Sequence, residues 1–239
     1  MQIIERHGRG CYRRWDIHQR IQHICLLTAF IVLVATGFPM RYAAAPAAQA
    51  VTLFVGGAYV ISIIHRFAGS LLILTAIYHM GYVGYYFAKG QRWSEMIPAW
   101  KDVVDFLQMW RYNLGLTKDK PKYGRYSFTE KFEYWGMVWG SVVMIVTGLL
   151  LWNPIRTIWY FRIPILLALS RVIHSYEALL AVVAIIIWHF YNAHLRPDVF
   201  PMSPVWLTGL MTEEDMKEHH GLEYERLVSE HEDKCETPG

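Results

Sequence analysis

Residues 173–191 read IHSYEALLAVVAIIIWHFY and carry one histidine near each end, His174 and His189. The fourteen residues between these histidines are almost all apolar, which predicts a helix that crosses a membrane. Fifteen steps of α-helix advance about 22 Å and turn by a net of about 60°, so the two imidazoles are expected on roughly one face. An imidazole in a bilayer is costly unless something binds it, so both are candidate ligands.

A second stretch repeats this arrangement. Residues 64–80 read IHRFAGSLLILTAIYHM, and His65 and His79 stand fourteen positions apart. Two helices with matched histidine pairs are suited to holding two planar cofactors at two depths. Because haem iron takes two axial ligands and imidazole is a common one, we take a transmembrane haem protein as the hypothesis.

The composition fits a membrane protein. Of 239 residues, 54% are hydrophobic and only 18% are charged, and the apolar residues are clustered. No basic run with base-stacking spacing indicates nucleic acid as a partner. None of the three cysteines forms Cys-x-x-Cys-His, so covalently attached haem is not predicted.

We predict an all-α polytopic membrane protein, a four-helix bundle in one domain over residues 1–239. The transmembrane helices are expected at about 21–38, 57–87, 131–152 and 171–194. The loop 88–130 contains an amphipathic pattern typical of an interfacial helix. Ser127 or Thr129 is expected to cap the third helix. The apolar piece 158–169 is expected to cross the surface or re-enter, and the tail 198–239 to be polar, with its histidines, including His220, at the surface.

The distribution of Lys and Arg predicts the orientation. Eighteen of the 23 lie in the N-terminus, the 88–131 insert and the tail from Arg196, against four in the connections 39–57 and 153–172. By the positive-inside rule both termini are therefore cytoplasmic. His65 and His174 are then expected toward the outer face, and His79 and His189 toward the cytoplasmic face.

The two halves of the chain resemble each other. A Thr-Gly pair occurs at Thr36 and again at Thr147, and the histidine pairs repeat at the same offset of 109 to 111 residues. An internal duplication with parallel repeats fits this pattern. It predicts that His65 faces His174 and that His79 faces His189.

His23 is a fifth intramembrane histidine, and it has no counterpart in the repeat. It lies at the depth expected for His79 and His189. It therefore competes with His79 as a ligand of the haem nearer the cytoplasmic face, implies a third haem, or donates a hydrogen bond to a propionate or a quinone.

Four residues near the outer histidines are candidates for cofactor contacts. Arg41, Arg66 and Arg171 are suited to pairing with haem propionates, or else anchor the helices at the interface. Gly69, four residues after His65, would let a flat macrocycle approach the helix.

Several motifs together resemble the four-helix cytochrome b membrane subunits, which include formate dehydrogenase gamma subunits and nickel-iron hydrogenase cytochrome b. The similarity is greatest to bacterial cytochrome b subunits associated with multihaem c-type cytochromes and covers roughly residues 13–230. The motifs are Gln22-His23, Thr36-Gly37-Phe38-Pro39, His65-Arg66-x-x-Gly69, Tyr78-His79, Glu133-Tyr134-Trp135, Thr147-Gly148, His174-x-x-Glu177 and Trp188-His189-Phe190-Tyr191.

The resemblance implies b-type haem and two alternative ligand sets. In the formate dehydrogenase type, ligands come from the first, second and fourth helices, which would pair His23 with His189 and His65 with His174. In the cytochrome b of bc complexes two helices supply both pairs, which would match His79 with His189. Two or three haems therefore remain open.

The resemblance also implies redox partners. These are menaquinone or ubiquinone and an extracytoplasmic subunit, either a multihaem cytochrome c or an iron-sulfur subunit of a dehydrogenase or hydrogenase. By analogy with formate dehydrogenase, the quinone would bind near His23, Trp188, His189 and Asn192. The location implied is the bacterial inner membrane.

The leading hypothesis is a respiratory subunit that carries electrons across the membrane. No nucleotide-binding glycine motif or nucleophile constellation indicates separate substrate chemistry. The alternatives are a stand-alone transmembrane haem reductase and a histidine-lined metal or ion transporter.

Overall fold

The computed structural model describes the backbone of residues 3–6, 9–90 and 93–236 and the side chains of residues 11–90 and 95–230. The strands are β1 (Ile3–Arg6), β2 (Arg9–Arg13) and β3 (Leu210–Thr212). The helices are α1 (Ile17–Arg41), α2 (Pro46–Val55), α3 (Ala58–Ala88), α4 (Trp100–Asn113), α5 (Phe128–Trp152), α6 (Pro154–Phe161), α7 (Pro164–Leu195), α8 (Val205–Thr208), α9 (Glu213–His219) and α10 (Gly221–Glu236).

Four of these helices, α1, α3, α5 and α7, are long and apolar enough to cross a membrane. The shortest has 25 residues, which at 1.5 Å per residue exceeds the roughly 30 Å of a hydrocarbon core. The structure is 78% helical. The prediction of an all-α, multi-pass membrane protein is confirmed.

The last transmembrane helix begins earlier than the sequence pattern predicted. Arg162, at φ 54°, ends α6, and α7 starts at Pro164 rather than near residue 171. Proline is favoured at the first helical position because its fixed φ suits the helix and it has no N–H to leave unpaired. Residues 164–169, which were expected in a separate piece that crosses the surface or re-enters, therefore belong to α7, whereas residues 158–161 end α6.

The geometry of α7 changes along its length. It is α-helical to Val183 and π-helical over Ala184–His189 and Tyr191–Leu195. A π-turn closes its hydrogen bond one residue later than an α-turn, so each residue rotates by less than 100°. The net rotation of about 60° expected between His174 and His189 for a pure α-helix is accordingly reduced.

Two transmembrane helices begin with reciprocal capping hydrogen bonds. At α1, the Gln19 backbone N–H donates to the Asp16 carboxylate (2.9 Å), and the Asp16 N–H donates to the Gln19 side chain (3.0 Å). At α5, Ser127 and Glu130 exchange the same pair of bonds, at 2.7 and 3.3 Å. Each pair satisfies two backbone donors that a helix start leaves unpaired. The expectation of a Ser127 cap is confirmed, whereas α1 starts at Ile17 and not at residue 21.

The chain divides into two compact units. The first, here called the bundle unit, comprises residues 21–82 and 136–203. Its most buried positions include Ala29, Ala68 and Ile61. Small residues at such positions let helix backbones approach closely, which is how membrane helices pack without a hydrophobic driving force.

The second, here called the terminal unit, comprises residues 3–20, 83–135 and 204–236 among those described. Its antiparallel sheet has the order β1-β2-β3, so the N-terminal hairpin pairs with a strand from the C-terminal tail. Tyr12, Met216 and Leu227 form its small core. The tail expected to be merely polar thus folds with the N-terminus, which no local periodicity could indicate.

The terminal unit buries several charged groups together. The Arg14 side chain donates to the Arg125 carbonyl at 2.7 Å and lies 3.5 Å from the Glu130 carboxylate. His220 is only 4% exposed and donates from Nδ1 to the Gly124 carbonyl at 2.9 Å. The expectation that His220 lies at the surface was therefore wrong. Burial, with the nearby positive charge of Arg14, lowers the pKa of His220 to about 4.

Candidate functional site

The bundle unit brings four of the five intramembrane histidines into two pairs. The ring centroids of His65 (α3) and His174 (α7) are 6.4 Å apart, with an angle of 69° between the rings. The ring centroids of His23 (α1) and His189 (α7) are also 6.4 Å apart, with an angle of 48°. Three of the four transmembrane helices therefore supply the paired imidazoles.

The spacing of both pairs fits a metal ion between two imidazoles. A metal–imidazole nitrogen bond is about 2 Å and the nitrogen lies about 1.1 Å from the ring centroid, so two opposed ligands put their centroids about 6.3 Å apart. Within the part of the chain that the structure describes, no group of three or more His, Cys, Asp or Glu side chains is arranged to hold a metal. Two ligands in opposition are what a haem iron requires, because the porphyrin supplies the other four.

His79 lies in a different setting. Its Nδ1 donates a hydrogen bond to the Gln22 side-chain oxygen at 2.7 Å. Gln22 directly precedes His23 in α1, so the contact joins α3 to the helix that carries one of the paired histidines. The Gln22-His23 dipeptide belongs to the motifs that resemble the cytochrome b subunits, but nothing in the sequence indicated that the glutamine accepts a hydrogen bond from His79.

The pair His65–His174 has matching neighbours in the two halves. The Thr36 hydroxyl lies 2.8 Å from His65 Nδ1, and the Thr147 hydroxyl lies 2.8 Å from His174 Nδ1. The sequence indicated these threonines only as markers of the duplication. Their recurrence in the first and third transmembrane helices, at an offset close to that of the histidines, was the available signal for a role at the site.

A glycine follows each threonine and lies against the same imidazole. A Cβ at Gly37 would be 3.2 Å from His65 Cε1, and a Cβ at Gly148 would be 3.3 Å from His174 Cε1. Both distances are tighter than ordinary van der Waals contact. Glycine therefore permits the closeness of ring and helix at both places. At Gly69, by contrast, a Cβ would meet nothing within 4 Å, so that face of α3 is open.

The three candidate arginines are all exposed. The Arg66 guanidinium lies over the Trp152 ring at 5.8 Å, and that of Arg41 lies over the Tyr42 ring at 5.5 Å. For Arg171 the structure records only a backbone contact, in which its carbonyl accepts from the Ser175 hydroxyl at 2.7 Å.

Two candidate quinone residues are in contact with each other. The Asn192 side-chain amide donates to the Trp188 carbonyl at 2.9 Å, within the π-helical part of α7. The Trp188 side chain is 41% exposed. The bond fixes the Asn192 side chain along the helix that also carries His189.

Four long apolar helices, three of which carry the paired imidazoles, are typical of a polytopic membrane cytochrome. The family model for prokaryotic cytochrome b561 matches residues 14–202, and the chain belongs to this family. It is a haem-containing membrane electron-transfer subunit of the formate dehydrogenase and hydrogenase cytochrome b type, and the family cofactor is haem b.

Two characterised relatives are similar along most of their length. The cytochrome b556(fdo) subunit of formate dehydrogenase from Escherichia coli (strain K12) is 22% identical over 227 residues, which cover 93% of this chain and 96% of that subunit. The formate dehydrogenase cytochrome b556 subunit of Haemophilus influenzae is 24% identical over 213 residues, which cover 87% of this chain and 80% of that subunit.

Proposed function

We propose that the chain binds two haems b, one between His65 and His174 and one between His23 and His189, and so carries electrons across the membrane. The observation that supports this most strongly is the equal spacing of the two pairs, 6.4 Å between ring centroids in each. Coincidence is an unsatisfactory account, because α7 supplies one member of each pair and two other helices supply the partners.

The choice of His23 over His79 for the second haem rests on the ring geometry. His23 lies opposite His189 at the ligand spacing, with 6.4 Å between the ring centroids. This favours the formate dehydrogenase arrangement over that of bc complexes, and two haems over three. His79 then has a supporting role, because its hydrogen bond to Gln22 joins α3 to α1, the helix that carries the ligand His23.

The cofactor and the protein contribute different parts of the proposed electron transfer. When bound, haem supplies the one-electron redox step, and the protein sets its potential through ligands, burial and hydrogen bonds. The apolar helices exclude water from the ligand pairs. Gly69 leaves an open face beside His65, and we assign Arg41, Arg66 and Arg171 to the haem propionates, since guanidinium pairs well with carboxylate.

A quinone, either menaquinone or ubiquinone, is the proposed diffusible partner near the His23–His189 pair. Trp188 offers a partly exposed aromatic surface, and Asn192 is held beside it by hydrogen bonding. His23, Trp188 and Asn192 are therefore the residues assigned to this site.

The proposed setting is the bacterial inner membrane with both termini cytoplasmic, as the excess of Lys and Arg on that side favours. The other electron partner is an extracytoplasmic redox subunit. The named relatives belong to formate dehydrogenases, which favours an iron-sulfur subunit of a dehydrogenase or hydrogenase, and a multihaem cytochrome c is the alternative.

A pyridine haemochrome assay on the purified protein tests the ligand assignment. We expect two haems b per chain, one haem in His23→Ala, and two in the matched control His79→Ala. Three haems in the wild type, or one in His79→Ala, would contradict the assignment. A protein without haem would reject the electron-transfer function and favour the histidine-lined transporter. Reduction of ferric chelates by the isolated chain, without a quinone effect, would favour the stand-alone reductase.

A further inference from the structure

The hydrogen bonds around the His65–His174 pair are the same in both halves of the bundle unit. Thr36 Oγ1 lies 2.6 Å from the Val32 carbonyl and 2.8 Å from His65 Nδ1. Thr147 Oγ1 lies 2.6 Å from the Val143 carbonyl and 2.8 Å from His174 Nδ1. Two independent copies of one arrangement, on opposite sides of one pair, point to a common role.

The position of each proton follows from these contacts. A hydroxyl group has one proton, and a carbonyl oxygen can only accept, so Thr36 donates to Val32. The Thr36 oxygen must then accept from His65, which places the proton on His65 Nδ1. The Thr147 hydroxyl likewise lies between the Val143 carbonyl and His174 Nδ1, which places the proton of His174 on Nδ1 as well.

A proton on Nδ1 determines the role of the other ring nitrogen, Nε2. In a neutral imidazole that carries its proton on Nδ1, Nε2 has the free lone pair and is the nitrogen that binds a metal. Hydrogen bonding from the non-ligating N–H fixes the ring and makes the ligating nitrogen a stronger donor. Gly37 and Gly148 let each imidazole lie directly against the neighbouring helix, which restricts the ring further.

We propose that Thr36 and Thr147 are positioning residues for the haem between His65 and His174, where each accepts a hydrogen bond from its histidine, orients Nε2 toward the iron and strengthens it as a donor. This inference rests on the proposed function. It predicts that the two threonines lower the potential of that haem, because a stronger donor stabilises ferric over ferrous iron. They also hold the angle between the two ligand rings.

Thr36→Val and Thr147→Val keep the side-chain shape but remove the acceptor, whereas Thr36→Ser and Thr147→Ser retain the hydroxyl. The matched control is Thr75→Val, because Thr75 is also buried in a transmembrane helix and its hydroxyl donates to the Leu71 carbonyl at 2.8 Å. The measurements are the midpoint potential of each haem and the low-spin ferric EPR spectrum, which responds to ligand strength and to the angle between the rings.

We expect each valine variant to raise the potential of one haem and shift its EPR signal, with a larger shift in the double variant. The other haem should be unchanged, and the serine and Thr75 variants should match the wild type. Unchanged signals in the valine variants, with two haems still bound, would overturn the inference. Serine variants that behave like the valine variants would also overturn it, and so would loss of this haem from both the serine and the valine variants. A wild type that binds no haem would instead refute the proposed function.

Discussion

Gly209→Ala should detach the N-terminal hairpin from the tail, because Gly209 lies where the two segments meet. Its φ is +77°, and an added Cβ would lie 2.5 Å from the Trp15 carbonyl oxygen. Its own carbonyl accepts from the backbone N–H groups of Arg14 (2.9 Å) and Trp15 (3.2 Å). An alanine therefore cannot be accommodated without separating the two segments.

The expected loss of stability follows from these contacts. A side chain in the left-handed region costs about 1–2 kcal/mol. Each of the two hydrogen bonds contributes about 1 kcal/mol, so the free energy of unfolding of the terminal unit should fall by about 3–4 kcal/mol. Gly115→Ala is a matched control, because φ is +73° there but the Cβ would meet nothing within 4 Å. Gly115→Ala should therefore lose only the stability that a side chain costs in the left-handed region, about 1–2 kcal/mol.

Limited trypsin digestion of the detergent-purified protein measures the difference in stability between the two variants. Arg14 is buried in the folded unit, so its peptide bond is cut only after local opening, and the rate follows the open population when opening is fast. A difference of about 2 kcal/mol corresponds to cleavage roughly 30-fold faster in Gly209→Ala than in Gly115→Ala. Equal cleavage rates at Arg14 in the two variants would refute the reasoning.

Two further predictions concern charges in the terminal unit. Glu223 is 2% exposed and pairs with Arg125 (3.8 Å) and Arg226, so Glu223→Gln should destabilise the unit by about 3–5 kcal/mol in thermal unfolding. The control Glu225→Gln removes only an exposed pair and should cost about 0–1 kcal/mol; equal losses would contradict the prediction. Because the pKa of His220 is lowered to about 4, the unfolded chain binds a proton below pH 6.5 that the folded chain does not. Stability should therefore fall between pH 6.5 and 4, by up to about 1.4 kcal/mol per pH unit, and His220→Gln should flatten this dependence; an unchanged pH profile would refute it.

The sequence alone determined the membrane class and most of the transmembrane spans. A run of apolar residues long enough to cross a bilayer is a local property, because each backbone hydrogen bond of a membrane helix is satisfied within the helix itself. The Ser127 cap could be predicted for the same reason, since both partners lie within one turn. The helix starts at Ile17 and Pro164 lie outside the predicted spans, because a capping box and a proline mark them and the apolar pattern does not.

The tertiary structure alone decided which polar groups meet. Sequence spacing placed five histidines in apolar helices, and two ligand sets remained open. Which imidazole lies opposite His189 depends on the rotation and depth of α1 and α3 against α7, and on the π-helical turn within α7. The contacts of Thr36 with His65 and of Thr147 with His174, and the burial of His220, likewise join segments that are distant in the chain. They depend on packing between helices, which is a property of the whole fold and not of any one stretch.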